Sequence, residues 1–184
     1  MIGCRLEPPQ GRTQSVHLSP AETKLTTLGK AAAQEQAKHP ELSGLYLLSD
    51  PREAFAARVK LAKQAEKTLD VQYYIWHGDT TGSLLLETLY EAAERGVRVR
   101  MLIDDHGTSG LDEAFSAMDA HPNIEVRLFN PFVFRPFKLF GFVTEFDRAN
   151  RRMHNKSFTA DNAATIVGGR NVGDEYFGAT DGVL

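Results

Sequence analysis

Strand-like and helix-like segments alternate between Leu69 and Phe129, and this alternation limits the chain to few folds. Leu69–Trp76 is rich in β-branched and aromatic residues and reads as a strand. Gly78-Asp79-Thr80-Thr81-Gly82 breaks it, and Leu84, Leu85, Leu89, Ala92 and Ala93 then recur at helical spacing until Gly96. Val97–Ile103 is the next strand, Leu111–Ala120 the next helix, and Ile124–Phe129 a third strand. Strands separated by helices of this length specify β-α-β units. The expected fold is therefore α/β, a mixed and mostly parallel sheet flanked by helices with right-handed crossovers. Upstream, Asp50 is placed to cap a helix starting at Pro51, with Phe55, Val59, Leu61, Ala62 and Ala65 on its apolar face. Residues 1–44 have little periodicity and read as a partly irregular leader with one helix near Leu28–His39, so the domain is expected over 45–184.

Bulk properties exclude several classes. The 184 residues are 42% hydrophobic, enough for a core and too apolar for a disordered chain. A net charge of -3 argues against nucleic acid as a partner bound by bulk charge. Cys4 is the only cysteine, so no internal disulfide forms. No stretch approaches the ~18–20 apolar residues of a membrane span. Ile2-Gly3-Cys4 looks like the tail of a lipobox, which predicts a lipid anchor at Cys4 if the true start lies upstream.

Charge is distributed unevenly. Phe132, Phe134, Phe137, Phe140, Phe142 and Phe146 are interleaved with Arg135 and Lys138, and Arg148, Arg151 and Arg152 follow, against only Glu145 and Asp147. Such a segment either fills the core beneath the sheet or meets an anionic membrane surface. Its mixed spacing does not choose between them.

The chemistry is concentrated near the end of the chain. Two short strands are expected near Met153–Thr159 and Ala164–Val167. Alternation along the first puts His154 and Lys156 on one face, able to present an imidazole and an ammonium to one phosphate. Asp161 falls in the turn Ala160–Ala163, where Asp and Asn commonly bond local backbone. Gly168 and Gly169 let backbone N–H groups approach an anion, and Asn171 adds a neutral donor. Histidine is a nucleophile near neutral pH without a metal. A lone His-x-Lys is usually a surface strand and a lone Gly-Gly a turn; the whole string is far more specific. Asp104-Asp105-His106, at the carboxyl end of a strand, is more readily a turn cap than a metal site. His77 and Asp79 are solvated loop residues or a pocket rim. Glu175 is either a surface acid or an orienting partner for a histidine. His17, His39 and His121 have no companions in the sequence.

His154-x-Lys156-x4-Asp161-x6-Gly168-Gly169-x-Asn171 resembles the HKD motif of the phospholipase D superfamily. Leu69–Trp76, Arg95–Arg100, Glu125–Phe132, Asn150–Lys156 and Gly168–Gly178 resemble the amino-terminal half of its bacterial cardiolipin synthase branch, over roughly residues 40–184. The resemblance implies phosphatidyl transfer between phospholipids through a phosphohistidine, using two HKD motifs and neither a metal nor a cofactor. By motif position His154 is the catalytic histidine, Lys156 and Asn171 hold phosphate oxygens beside Gly168 and Gly169, and Asp161 supports the motif rather than reacting. It also implies phospholipid substrates and a peripheral place at the bacterial cell membrane. Only one motif is present here, so a second half is expected from the same full-length chain or from a homodimer, with this chain an amino-terminal piece truncated at its carboxyl end. The alternatives are a phospholipase D or nuclease-type phosphodiesterase working as a homodimer, and an inactive lipid- or partner-binding fragment.

Overall fold

The computed structural model describes residues 16–132 and 150–180. Cys4 and the phenylalanine-rich segment beyond Phe132 lie outside the described residues.

Among the described residues five strands form one sheet in the order β3-β2-β1-β4-β5. They are β1 (Thr68–Ile75), β2 (Arg98–Gly107), β3 (Ile124–Phe129), β4 (Ser157–Ala160) and β5 (Ala164–Val167). β1, β2 and β3 pair in parallel, while β4 is antiparallel to both β1 and β5. β5 therefore runs with β1, and only β4 is reversed. The mixed, mostly parallel α/β sheet expected from the alternation is the one observed.

Among the described residues the helices are α1 (Pro20–Thr23), α2 (Thr27–Lys38), α3 (Pro51–Gln64), α4 (Thr80–Glu94), α5 (Asp112–Asp119) and α6 (Asp174–Phe177). Asp50 caps α3 by accepting from Glu53 N, with Pro51 in the first turn. α4 crosses from β1 to β2 and buries Leu85, Leu89, Ala92 and Ala93 against the sheet. Leu69, Val71 and Tyr73 of β1 point into that core, which also holds Trp76 and Phe158. Each such side chain contributes roughly 1.5–3 kcal/mol by leaving water. Asp70, Gln72 and Tyr74 alternate onto the opposite, half-covered face.

The described part of the leader, 16–44, is docked on the domain. Leu28 packs against the core, Asn162 Nδ2 donates to Leu18 O (3.3 Å), and Arg98 Nη1 donates to Val16 O (2.6 Å). Its two helices are capped by Ser19 and Thr26, whose hydroxyls accept from backbone N–H groups three residues on.

Two boundaries differ from expectation in a way that bears on the site. β2 runs to Gly107, four residues past the expected end, because its pairing with β1 shifts register: β1 advances two residues from Tyr73 to Ile75 while β2 advances four from Ile103 to Gly107. β4 begins at Ser157 rather than Met153, so His154 and Lys156 lie in the extended run leading into the strand.

Candidate active site

The β4–β5 hairpin brings the motif together by running against β1. Ser157 pairs with Gln72 and Ala160 with Leu69, so the hairpin tip lies at the amino end of β1 and its two open ends reach the carboxyl end. His154 enters at that carboxyl end, and its ring centroid is 4.6 Å from that of Tyr74. Asn171 and Val172 arrive from β5. Val172 bridges to Trp76, and Asn171 Oδ1 accepts from Ile75 N at 3.1 Å.

Lys156 is buried although it carries a charge, whereas His154 is exposed. Its Nζ sits 3.1 Å from His154 Nδ1, donates to His154 O at 2.9 Å, and lies 5.4 Å from the Tyr74 ring centroid. Desolvation lowers the pKa of Lys156 below its ordinary value, since burial penalises the ammonium. The contact that strand alternation anticipated is therefore present without the strand.

Asp161 stands at the other end of the hairpin and is fully buried. It accepts from Glu66 N (2.9 Å), Lys67 N (2.8 Å) and Thr68 N (2.9 Å). The Asp161 side chain was expected to bond the backbone of its own turn, which closes with Ala163 N donating to Ala160 O (2.9 Å). Instead Asp161 and Asn162 both have positive φ, 51° and 53°, while the Asp161 carboxylate holds the loop between α3 and β1. Gly168 and Gly169 are exposed, with open space around both α-carbons. They line a groove of about 990 Å³ between β5, α3 and Leu45–Leu48. Arg170 fastens that segment by donating to Leu48 O (2.7 Å) and Ser49 O (2.6 Å).

The partner of Glu175 is His77: its Oε2 lies 3.3 Å from His77 Nδ1. His77, Asp79 and Glu175 each place one potential ligand atom within 4.8 Å of the others. Both oxygens of Asp79 already accept backbone donors, Gly82 N at 3.0 Å and Asp174 N at 2.7 Å. The glycine that makes room here is Gly173, where an added Cβ would stand 2.9 Å from His77 Nδ1 and 3.0 Å from Glu175 Oε2. His77 and Asp79 do line a pocket rim. With Gly78, His106, Gly107 and Ser109 they enclose a cavity of about 460 Å³ at the carboxyl ends of β1 and β2.

Tyr74 carries no motif signal in the sequence, and Asp104 and Asp105 read there chiefly as turn caps. Asp104 does accept from His106 N in its own turn (2.8 Å), but it also accepts from Met153 N (2.7 Å) and Arg152 Nη1 (3.0 Å). Asp105 accepts from Phe132 N at 2.7 Å. A pair of acids ending an apolar strand in a parallel sheet was the signal that could have exposed them.

A family model described as the PLD-like domain of cardiolipin synthase matches residues 59–181, and the chain belongs to that family. It is 59% identical over 142 residues to cardiolipin synthase C of Escherichia coli K12, covering 77% of this chain and 30% of the relative. It is 34% identical over 132 residues to the major cardiolipin synthase ClsA of Bacillus subtilis 168, covering 72% and 26%. The chain thus spans less than a third of the length of these relatives. Among solved structures it resembles NucT from Helicobacter pylori at a TM-score of 0.53 and 16% identity, covering 73% of this chain and 77% of that one, a likeness of fold.

Proposed function

We propose that this chain supplies one half-site of an enzyme that transfers a phosphatidyl group between phospholipids, with His154 as the nucleophile. The observation that carries the reading is the His154–Lys156 pair, an exposed imidazole whose Nδ1 lies 3.1 Å from a buried ammonium. Membership of the cardiolipin synthase type of PLD-like domain supports a phospholipid substrate.

The pair suits the first half of the reaction. An ammonium donating to Nδ1 leaves the ring proton on Nε2. A lipid phosphate that draws Lys156 Nζ to its own oxygen frees Nδ1 to carry that proton, and Nε2 becomes the nucleophile. Nε2 then bonds to phosphorus as the bond to the leaving alcohol breaks, and that alcohol takes a proton from the histidine of a second HKD motif. In the second half an acceptor lipid's hydroxyl attacks phosphorus, its proton returns to the second histidine, and the P–N bond breaks. Lys156, Asn171 and the Gly168-Gly169 backbone hold the phosphate oxygens. Asp161 holds the hairpin and takes no proton.

The second motif comes from the remainder of a full-length chain or from a second copy. We place the assembly peripherally at an anionic bacterial membrane, with Cys4 as a lipid anchor if translation starts upstream. Among the described residues no helix is long and apolar enough to cross a membrane. A net charge of -3 counts against a nucleic acid bound by bulk charge.

The test is turnover of phosphatidylglycerol vesicles by the two-motif enzyme with His154→Ala. Cardiolipin formation is expected to vanish; near-normal synthesis removes His154 from the mechanism. Chelators are expected to leave turnover unchanged, and a loss restored by added zinc contradicts a metal-free half-site.

A further inference from the structure

The residues leading up to His154 are held by a clamp that no part of the HKD motif provides. Asp104 is completely buried at the carboxyl end of β2. One of its oxygens accepts from Met153 N (2.7 Å) and the other from Arg152 Nη1 (3.0 Å) and His106 N (2.8 Å). Arg152 continues the chain of contacts. Its Nη2 donates to Asn130 O (3.1 Å), and its guanidinium carbon lies 4.8 Å from the Phe132 ring centroid. Asn130 Nδ2 in turn donates to Arg151 O at 2.8 Å, and Asp105 Oδ2 accepts from Phe132 N at 2.7 Å. Neighbouring carboxylates thus hold the described residues that follow β3 and those that precede β4, Asp105 at Phe132 and Asp104 at Arg152 and Met153.

The geometry points to Asp104, acting through Arg152 and the Met153 amide, as the positioning residue of His154. His154 stands before the first paired residue of β4, Ser157, so sheet pairing does not fix its backbone. The Met153 amide is the nearest backbone anchor on its amino side, and a buried carboxylate accepting a charge-assisted bond is a strong one. Tyr74 and Lys156 then set the ring from the other side. Misplacing a reacting group by about 1 Å costs on the order of 10²-fold in rate, so a clamp of this kind acts on turnover even though it touches no substrate. Its catalytic consequence rests on the reading of His154 as the nucleophile; the positioning itself does not.

Two variants and two readouts separate these. In the 184-residue chain, diethyl pyrocarbonate modification of His154 is followed by mass spectrometry, with exposed His77 as the internal control. Asp104→Asn and Arg152→Gln are each expected to change the His154 rate by roughly threefold or more and leave His77 unchanged. In the two-motif enzyme the same variants are expected to lower kcat by about tenfold or more with KM within about twofold, and Arg152→Lys to recover part of the loss. Should Asp104→Asn fail to fold, Arg152→Gln, at the edge of the clamp, carries the test alone. Unchanged His154 modification together with unchanged kcat in folded Arg152→Gln overturns the proposal. Altered modification with normal turnover upholds the clamp and overturns His154 as the reacting group.

Discussion

The two ends of the β4–β5 hairpin are built for opposite purposes. At its tip Asp161 is buried and accepts three backbone N–H groups, each within 2.9 Å, from the loop that starts β1. At its open ends a lysine is buried with a histidine ring nitrogen and a carbonyl oxygen near its ammonium, beside an exposed imidazole. Ten residues or fewer separate the two ends along the chain, and both are anchored to β1. A carboxylate with that many donors is a structural fixture. A desolvated ammonium gains from an added anionic partner, which is the role proposed for Lys156. On the proposed reading one motif divides into a stabilising end and a reactive end, and a strand of only four residues spans the distance between them.

Changes at each end should therefore fall on different observables. His154→Ala is expected to lower turnover of the two-motif enzyme by on the order of 10⁴-fold or more, with the melting temperature of the 184-residue chain nearly unchanged because the side chain is exposed. A large fall in melting temperature would erase the contrast. Lys156→Met is expected to cost about 10²–10³-fold in turnover without destabilising the chain, since it removes a buried charge while keeping the aliphatic stem. Measurable destabilisation would mean that Lys156 belongs to the structural end. Asp161→Ala removes the shared acceptor of three backbone N–H donors, of which that of Thr68 is buried, and is expected to destabilise the chain by about 2–3 kcal/mol, read as a shift of the urea midpoint. A stable Asp161→Ala protein with impaired turnover would move Asp161 to the reactive end.

The smallest effect concerns the return from β5. Burial alone would raise the pKa of Asp174, but hydrogen bonds from Thr81 and Thr80 outweigh it and the net shift is downward. A carboxylate with a depressed folded pKa contributes stability that is present above its unfolded pKa, near 4, and is lost as pH falls through the folded value. Acid unfolding of Asp174→Asn should accordingly be shallower below about pH 4 than that of the unaltered chain; parallel curves would show that the α4–α6 contact contributes nothing.

Much of the fold was legible because its signals are periodic and local. The alternation from Leu69 to Phe129 specified three parallel strands and two crossovers, and Asp50-Pro51 announced α3. What escaped was settled by tertiary contacts. The extra length of β2 depends on a register shift in its pairing with β1, and α6 is a single turn with no pattern of its own. The candidate site was half legible. Spacing brought His154 and Lys156 together, but nothing local announces that Asp161 reaches back to Glu66–Thr68, that Glu175 meets His77, or that Asp104 grips Arg152 and Met153, contacts spanning 48 to 98 positions. The crowding of Gly173 against His77 and Glu175 had no local signal either.

The central claim is that the reactive end forms a covalent bond to phosphorus. It is tested most directly by acid-free quenching of the two-motif enzyme during turnover of phosphatidylglycerol, followed by peptide mass mapping. A phosphatidyl adduct on the peptide containing His154, absent in His154→Ala and retained at reduced level in Lys156→Met, is the predicted result. An adduct confined to another residue, or normal turnover with no adduct at His154 under conditions that trap known phosphohistidines, would contradict the account.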